Sequence, residues 1–561
     1  MLQTAHFRLI LLALGIVCFL PFLGQAPLFD WDEVNFAESA REMLLSGNYT
    51  RVQVNFQPFW EKPPLFIWMQ VLSMKLFGVN EYAARFPNAV FGIVNLLLLF
   101  ELGRRLRSDR FGFLWALGML GAFLPHIYFK SGIIDPVFNT FIFLGIWNLY
   151  KASRAYGQPD ARKHALYAGL QIGLAILTKG PVGLLIPLLT TGTFWIMSRL
   201  KPVLSFINML LGGLVALLVT AFWFGPETLQ HGTWFLEAFV RYQIRLFSTP
   251  DAGHAQPFYY HFVVVLLGCF PVSVAALRVL FRRVQARLED PDFLLWMKCL
   301  LWVVLLLFSI VTTKIVHYSS MAYLPLSALA AVSFEEFLRG RQQWSGWQAL
   351  GFLMVGMVLG LVMLILPYAG MHTALWMPLL KDPFAVESLQ IQVVWHIWDY
   401  LPGFIWMLGT LLGAWYLWKQ RRTQAIAAMF SGSILATSLF LIFFPARIAE
   451  FTQQSAVHFA EALKGQDIYL ETLRHKSFAQ YFYFGKTGMS KAEQAHCRDA
   501  EGNYHIDTLR GWYLTGEIDK PVYFIVKSMY YPDYQSTPGL EIVDRKGGFM
   551  LLRRMPPQIS R

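Results

Sequence analysis

Charge is scarce in this sequence, and the scarcity is the first constraint on what it can be. Asp, Glu, Lys and Arg together make 15% of 561 residues, well short of the roughly 25% carried by soluble globular chains. Cysteine is scarcer still. Cys18, Cys269 and Cys299 fall in apolar runs, and Cys497 stands alone in a polar region. That pattern implies neither a disulfide framework nor a clustered-cysteine metal site. Clear internal repeats and low-complexity linkers are also missing, so the inverted halves of many transporters have no counterpart here. What fills the sequence instead is hydrophobic residues, 56% of the chain, with a mean hydropathy of +0.44. Such a composition belongs to a polytopic membrane protein.

Apolar runs long enough, or nearly so, to cross a bilayer fall at 9–24, 86–100, 111–129, 136–150, 164–178, 180–198, 204–225, 258–277, 293–313, 315–334, 347–367, 401–418 and 425–445. With a cytoplasmic N-terminus, these thirteen runs place six loops inside: "RRLRSDR" (104–110), "KASRAYGQPDARKH" (151–164), "SRLK" (198–201), "RVLFRRVQAR" (278–287), "RGR" (339–341) and "KQRR" (419–422). All six are basic, as the positive-inside rule asks. Much of the net charge of +12 is therefore topology and not a nucleic-acid surface. The run "LFIWMQVLSMKLFG" (65–78) is interrupted by Lys75 and follows Pro63 and Pro64. Were it to span, the later basic loops would fall outside, so it reads as a helix lying in the outer interface. The first run is expected to be retained, because "GQAPLFDWDE" offers a poor cleavage site. Residues 446–561 are mixed in polarity, with strand-like "DIYLETL" (467–473) and "PVYFIVKSM" (521–529), and "RKGG" as a hairpin turn between "LEIVD" and "FMLLRR".

On this map the ionisable residues in or beside apolar sequence gather at one face. They are Asp32 in "FDWDEVNFAE", Glu61 and Lys62 in "FWEKPP", Asp135 in "SGIIDP", Lys179 in "LTKGP", Arg245 in "YQIRLF", His254 in "GHAQPF", and Lys314 and His317 in "TTKIVHYSS". Each falls at or beyond the outer end of a run, although none was used to set the orientation. Such groups are costly near a bilayer core and usually face a cavity or a partner. Several cations there suit a phosphate or pyrophosphate headgroup, and a carboxylate beside them suits a general base. Together they fit transfer of a group from a lipid phosphate to an acceptor. Blander readings exist for each. Asp32 is placed to cap the helix "EVNFAESAREML", with Phe36, Ala40, Met43 and Leu44 on one face and Asn35, Glu38, Ser39 and Glu42 on the other. Lys179 and Lys62 suit interfacial anchors, and Arg241 competes with Arg245, one helical turn away.

The stretches "WDEVNFAESAREMLLSGNY" and "FWEKPPLFIW" resemble the first outer loop of the GT-C glycosyltransferases that use polyprenyl-phosphate sugars. The nearest resemblance is to the bacterial lipid A aminoarabinose transferases, with protein O-mannosyltransferases more distant. It continues through "IIDPVF", "LTKGPVG", "GHAQPFYY" and "TTKIVHYSSMAYLP", over roughly residues 25 to 330. The resemblance implies Asp32 as the catalytic carboxylate, with Glu33 and Asp135 beside it. It implies Lys62, Lys179, Arg245 and Lys314 around the donor phosphate, and Glu61 and His254 near a possible divalent-metal site. Two ligands are few for zinc, which takes three or four, and no cofactor is required in principle. Asn35 and Phe36 depart from the family's Glu-Thr-Arg-Tyr continuation, and His317 and Tyr318 from its Lys-Leu-Pro pattern. These four fall at the expected acceptor or sugar pocket, so the sugar is left open.

The expectation is then an all-α polytopic membrane protein of GT-C fold with about thirteen transmembrane helices. It comprises a catalytic unit over 1–445, with a first outer loop at about 25–85 and an acceptor or lid loop at about 226–257, and a periplasmic α/β domain over 446–561. The expected activity is an inverting glycosyl transfer at the outer face of the bacterial inner membrane, with no nucleic-acid partner. The acceptor is lipid A, another surface glycan or a protein. The rival class is a lipid-linked sugar flippase, which predicts ionisable groups near the bilayer midplane.

Overall fold

The computed structural model describes residues 2–59, 61–249, 256–281, 291–499 and 504–557. Each of the thirteen apolar runs carries helix. Among the described residues, seven helices are long and apolar enough to cross a bilayer unaided: Glu81–Leu106, Phe206–His231, Asp292–Ile310, Val316–Leu338, Gly346–Met371, Ile397–Trp418 and Arg422–Glu450. Asp135–Arg154 and Pro159–Lys179 are long enough but carry more polar sequence, and the others run short or are interrupted. The 111–129 run breaks at Ala122 into Asp109–Gly121 and Phe123–Tyr128. The 258–277 run breaks before Pro271, which has no N–H to continue the ladder. The 65–78 run forms the helix Leu65–Phe77, roughly 20 Å long and too short for a hydrocarbon core of about 30 Å.

Polar caps mark the helix starts where the chain turns. The Asn80 side chain accepts from the Ala83 N–H at the head of Glu81–Leu106, and Ser108 does the same for Phe111 at the next helix. Small residues bring other helices together. A Cβ at Gly169 would lie 2.1 Å from the Gly212 carbonyl oxygen, so the Pro159–Lys179 and Phe206–His231 helices approach as closely as glycine permits.

After the last long helix comes a four-stranded sheet. Two short strands, β1 (Gln53–Val54) and β2 (Gln57–Pro58), pair with each other between the first helices. The sheet itself holds β3 (Tyr469–Leu473), β4 (Val522–Lys527), β5 (Leu540–Lys546) and β6 (Phe549–Arg554), in the order β3-β4-β6-β5. β3 and β4 are parallel, with Tyr469 opposite Val522, and β6 runs antiparallel to both β4 and β5. Gly547 and Gly548 turn the β5–β6 hairpin at positive φ, 54° and 77°, the torsions a two-residue hairpin turn demands.

One hydrophobic core lies among the helices around Trp115, Trp296 and Phe334. A second joins the stretch 25–85 (Val34, Phe36, Phe66) to the segment after 445 (Phe459, Tyr481, Leu551). The two stretches, far apart in sequence, thus bury one another. This overturns the simple amphipathic reading of Asp32–Ser46. All residues from Glu33 to Met43 are buried, polar face included. Glu38 pairs with Arg41 at 2.6 Å, and Glu42 accepts from the Phe56 N–H.

Candidate active site

A cavity of about 680 Å³ is lined by Phe138, Ile186 and Phe308 of the first core and by Ile134 of the second. Its polar lining comes from the start of the Asp32–Ser46 helix, from Glu61 and Lys62, from Asp135 and Lys179 at helix ends, from Tyr242 and Gln243, from His317 and Tyr318, and from Lys476. Its apolar lining, with Val182, Ile186, Phe308 and Val311, comes from the helices.

The three acids of "FDWDE" point three ways. Glu33 turns inward. Its carboxylate pairs with Arg85 at 2.7 Å and accepts from the N–H groups of Phe29 and Gly132. Burial pushes the Glu33 carboxyl up, but the Arg85 charge and these hydrogen bonds outweigh it and hold the group below its ordinary value. Glu33 therefore stakes the loop in place, and its oxygens are already committed. Asp32 turns to the cavity, where one oxygen lies 3.4 Å from His317 Nε2 and the side chain is 27% exposed. It is the first residue of its helix, Trp31 holds the cap position, and no side-chain cap bond forms there. Its carboxylate is not occupied as a cap.

Asp30 turns toward the segment after 445. Burial pushes its carboxyl up to about 6, helped by the charge of Asp32 and opposed by the Ser477 hydroxyl and Lys527. An unfolded Asp ionises near 3.8 and the folded one near 6, so the folded state loses stability as pH rises through that window. The loss is complete above it and absent below it. Asp30→Asn removes a cost of at most about 3 kcal/mol, by the roughly two-unit shift. The variant should melt at the wild-type temperature near pH 4 and several degrees higher at pH 7.5, which thermal scans in detergent at the two pH values will check.

The cations are arranged in two groups. Lys179, at the end of Pro159–Lys179, pairs with Asp135 at 2.6 Å and lies over the Tyr318 ring, 5.3 Å from its centroid. The second Asp135 oxygen is buried without a hydrogen-bond partner. The other group centres on Tyr242. Lys62 Nζ lies 5.4 Å and the Arg245 guanidinium 5.2 Å from its ring centroid, and its hydroxyl donates to Glu61 at 3.2 Å.

Several expectations change. Lys314 does not line the cavity. It is buried and donates to the Val311 carbonyl at 2.8 Å, while its neighbours Thr313 and Ile315 face inward. Asn35 and Phe36 do not line it either, because helical periodicity turns them away. With its amide correctly oriented, Asn35 bonds the Trp31 carbonyl and indole N–H, and Phe36 packs edge-on to Phe66. The part of the expected 226–257 loop that is described, 226–249, is mostly helix, through His231 and again over Trp234–Ser248. His254 lies outside the described residues. Its suggested partner Glu61 is engaged by Tyr242, and among the described residues no three His, Cys, Asp or Glu gather as metal ligands. The described donors alone are too few for zinc.

Sequence reasoning misses Arg85, Tyr242 and Lys476. Arg85 had a signal, a lone charge at the outer margin of the 86–100 run. Tyr242 sits between the two competing arginines of "VRYQIRLF". Lys476 had none, since nothing in "LRHKSF" points to a cavity shared with residues 29–33.

Known proteins resemble this geometry. The family described as dolichyl-phosphate-mannose-protein mannosyltransferase matches residues 61–224. The undecaprenyl phosphate-alpha-4-amino-4-deoxy-L-arabinose arabinosyl transferase 2 of Proteus mirabilis is 29% identical over 57% of this chain and 58% of its own length. The transferase of the same name from Pseudomonas fluorescens is 29% identical over 77% of this chain and 74% of its own. An uncharacterized Aquifex aeolicus protein is matched over 63% of its length, so the alignments to the first relatives span about three fifths of them. The crystal structure of ArnT from Cupriavidus metallidurans bound to undecaprenyl phosphate superposes with a TM-score of 0.73 at 18% identity, covering 98% of this chain and 97% of that one.

Fold and family match therefore agree that the chain resembles the polyprenyl-phosphate-sugar glycosyltransferases of the GT-C superfamily, as its loop motifs do. Within that class the resemblance runs to the aminoarabinose transferases.

Proposed function

We propose that the protein transfers a sugar from a polyprenyl-phosphate carrier to an acceptor at the outer face of the bacterial inner membrane. The observation that carries this reading is the Asp32 carboxylate, uncapped and turned into a cavity that also holds Lys62 and Lys179 against an apolar helical wall. The lipid chain of the donor lies along Val182, Ile186, Phe308 and Val311, and its phosphate meets the two lysines, with Arg245 outside the cavity lining but stacked on the lining residue Tyr242. An acceptor oxygen attacks the anomeric carbon from the side opposite the phosphate. Its proton passes to Asp32 as the new C–O bond forms. The old bond to phosphate oxygen breaks with its electron pair, and the anion leaves onto the cations. Asp135 keeps Lys179 aimed at that phosphate through their ion pair.

The names of the relatives favour 4-amino-4-deoxy-L-arabinose as the sugar, and lipid A is the acceptor that the resemblance of the loop motifs implies. The thirteen-span topology, with 1–445 as the transmembrane catalytic unit and 446–561 outside, belongs to the same proposal. Transfer from a panel of labelled polyprenyl-phosphate sugars, by purified protein in lipid with lipid A and a peptide as acceptors, tests it. Transfer from at least one donor is expected, and inertness toward all of them, with flux of the intact donor across the bilayer, would replace it with the flippase reading. Lys62→Ala should lower kcat/KM for the donor by about 10–100-fold, the value of a lost charge-assisted contact of about 1.5–3 kcal/mol.

A further inference from the structure

Lys476 differs from the other cations of the cavity. Lys179 is neutralised by Asp135, and Lys62 stands beside the Glu61–Tyr242 pair. Lys476 is exposed and, among the described residues, has no ion pair. Its Nζ lies over the Trp31 ring, 4.3 Å from the centroid.

The loop carrying it is built to hold it there. Its neighbour His475 packs against Phe549, 5.4 Å between ring centroids, and the Ser477 hydroxyl accepts from the Ala479 N–H. Phe478 lies against Trp31 at 4.7 Å and against Phe59 at 6.2 Å. From the same side, Gln453 accepts from the Asp30 N–H and donates to the Leu28 carbonyl, while the Tyr483 hydroxyl accepts from the Leu28 N–H. The segment after 445 thus clamps residues 28–31, sets the Lys527 charge near Asp30, and brings Lys476 onto Trp31 in the cavity that Asp30 and Asp32 also line.

Two carboxylates at that corner repel any negatively charged molecule that approaches Asp32. A neutral acceptor needs no cation there, and Lys476 is not consumed in pairing either acid. We propose that Lys476 is an acceptor-binding residue, forming with Trp31 a subsite for an anionic group next to the acceptor's nucleophilic oxygen. The proposal rests on the transfer reading above. It makes the segment after 445 part of the active site, setting which acceptors enter while the helices hold the donor.

The test is equilibrium binding by the full chain in nanodiscs, with lipid A and its enzymatically dephosphorylated form as probes and undecaprenyl phosphate as control. Lys476→Gln should weaken lipid A binding at least ten-fold, down to the level at which wild type binds the dephosphorylated probe. Lys476→Arg should restore it to within about three-fold, since Arg keeps the charge and favours anionic oxygens. Undecaprenyl phosphate binding should not change. In turnover, the acceptor KM should rise with the donor KM fixed. The proposal is overturned if Lys476→Gln binds lipid A like wild type, if wild type does not distinguish the two probes, or if donor and acceptor binding fall together. Phosphate-dependent binding through Lys476 without transfer from any donor would refute the reaction and leave the anion subsite standing.

Discussion

Asp32→Asn leaves a folded protein whose sugar transfer falls by about 10²–10⁴-fold, the span a positioned general base contributes. The substitution conserves shape and removes only the ability to take a proton. Its cost to the fold is small for three reasons. The side chain is partly open to the cavity, it makes no capping bond, and its polar neighbour is His317 at 3.4 Å. The melting temperature should stay within about 2 °C of wild type, as for a partly exposed polar change worth under about 0.5 kcal/mol. Donor KM should be nearly unchanged, because the phosphate meets the lysines and not Asp32. A variant that keeps the wild-type rate would make Asp32 a bystander and return the question of the base to Asp135.

Arg85→Met acts on stability instead, and by more than any other single change considered. It strands the Glu33 carboxylate in the interior, where Arg85 now supplies two hydrogen bonds, at 2.7 and 3.0 Å. It also strips three carbonyls, those of Leu23, Ala26 and Pro27, of donors at 2.7–2.8 Å. Removing one partner of a buried pair costs about 3–5 kcal/mol, enough to lose most folded material. The double variant Arg85→Met with Glu33→Gln removes the stranded charge and should recover about half of that loss. A double-mutant cycle on thermal stability isolates the coupling. If the single change is silent, Glu33 is held by the Gly132 and Phe29 N–H groups alone, and its assignment as the loop's anchor fails.

These two neighbours show what local sequence carries and what it does not. "DWDE" announces acids at the outer margin of an apolar run, and periodicity announces the helix after them. Neither tells which acid faces substrate. That is settled by Arg85, 52 residues away and one turn inside the next long helix. The opposite assignment of Asp32 and Glu33, one to a cavity and one to a buried pair, needs only the 100° between successive helical positions.

The helices, the β5–β6 hairpin at Gly547–Gly548 and the gathering of Asp32, Lys62, Asp135, Lys179 and His317 were all legible in the sequence. Each rests on composition or spacing within one turn or one strand, the range over which backbone torsions and side-chain periodicity act. Tertiary structure alone decided that the polar face of Asp32–Ser46 is buried, that Lys314 turns to a carbonyl, and that Lys476 reaches the cavity from a loop more than 400 residues along the chain. Those outcomes depend on how surfaces distant in sequence cover one another, and desolvation and pairing act on whatever that covering brings together.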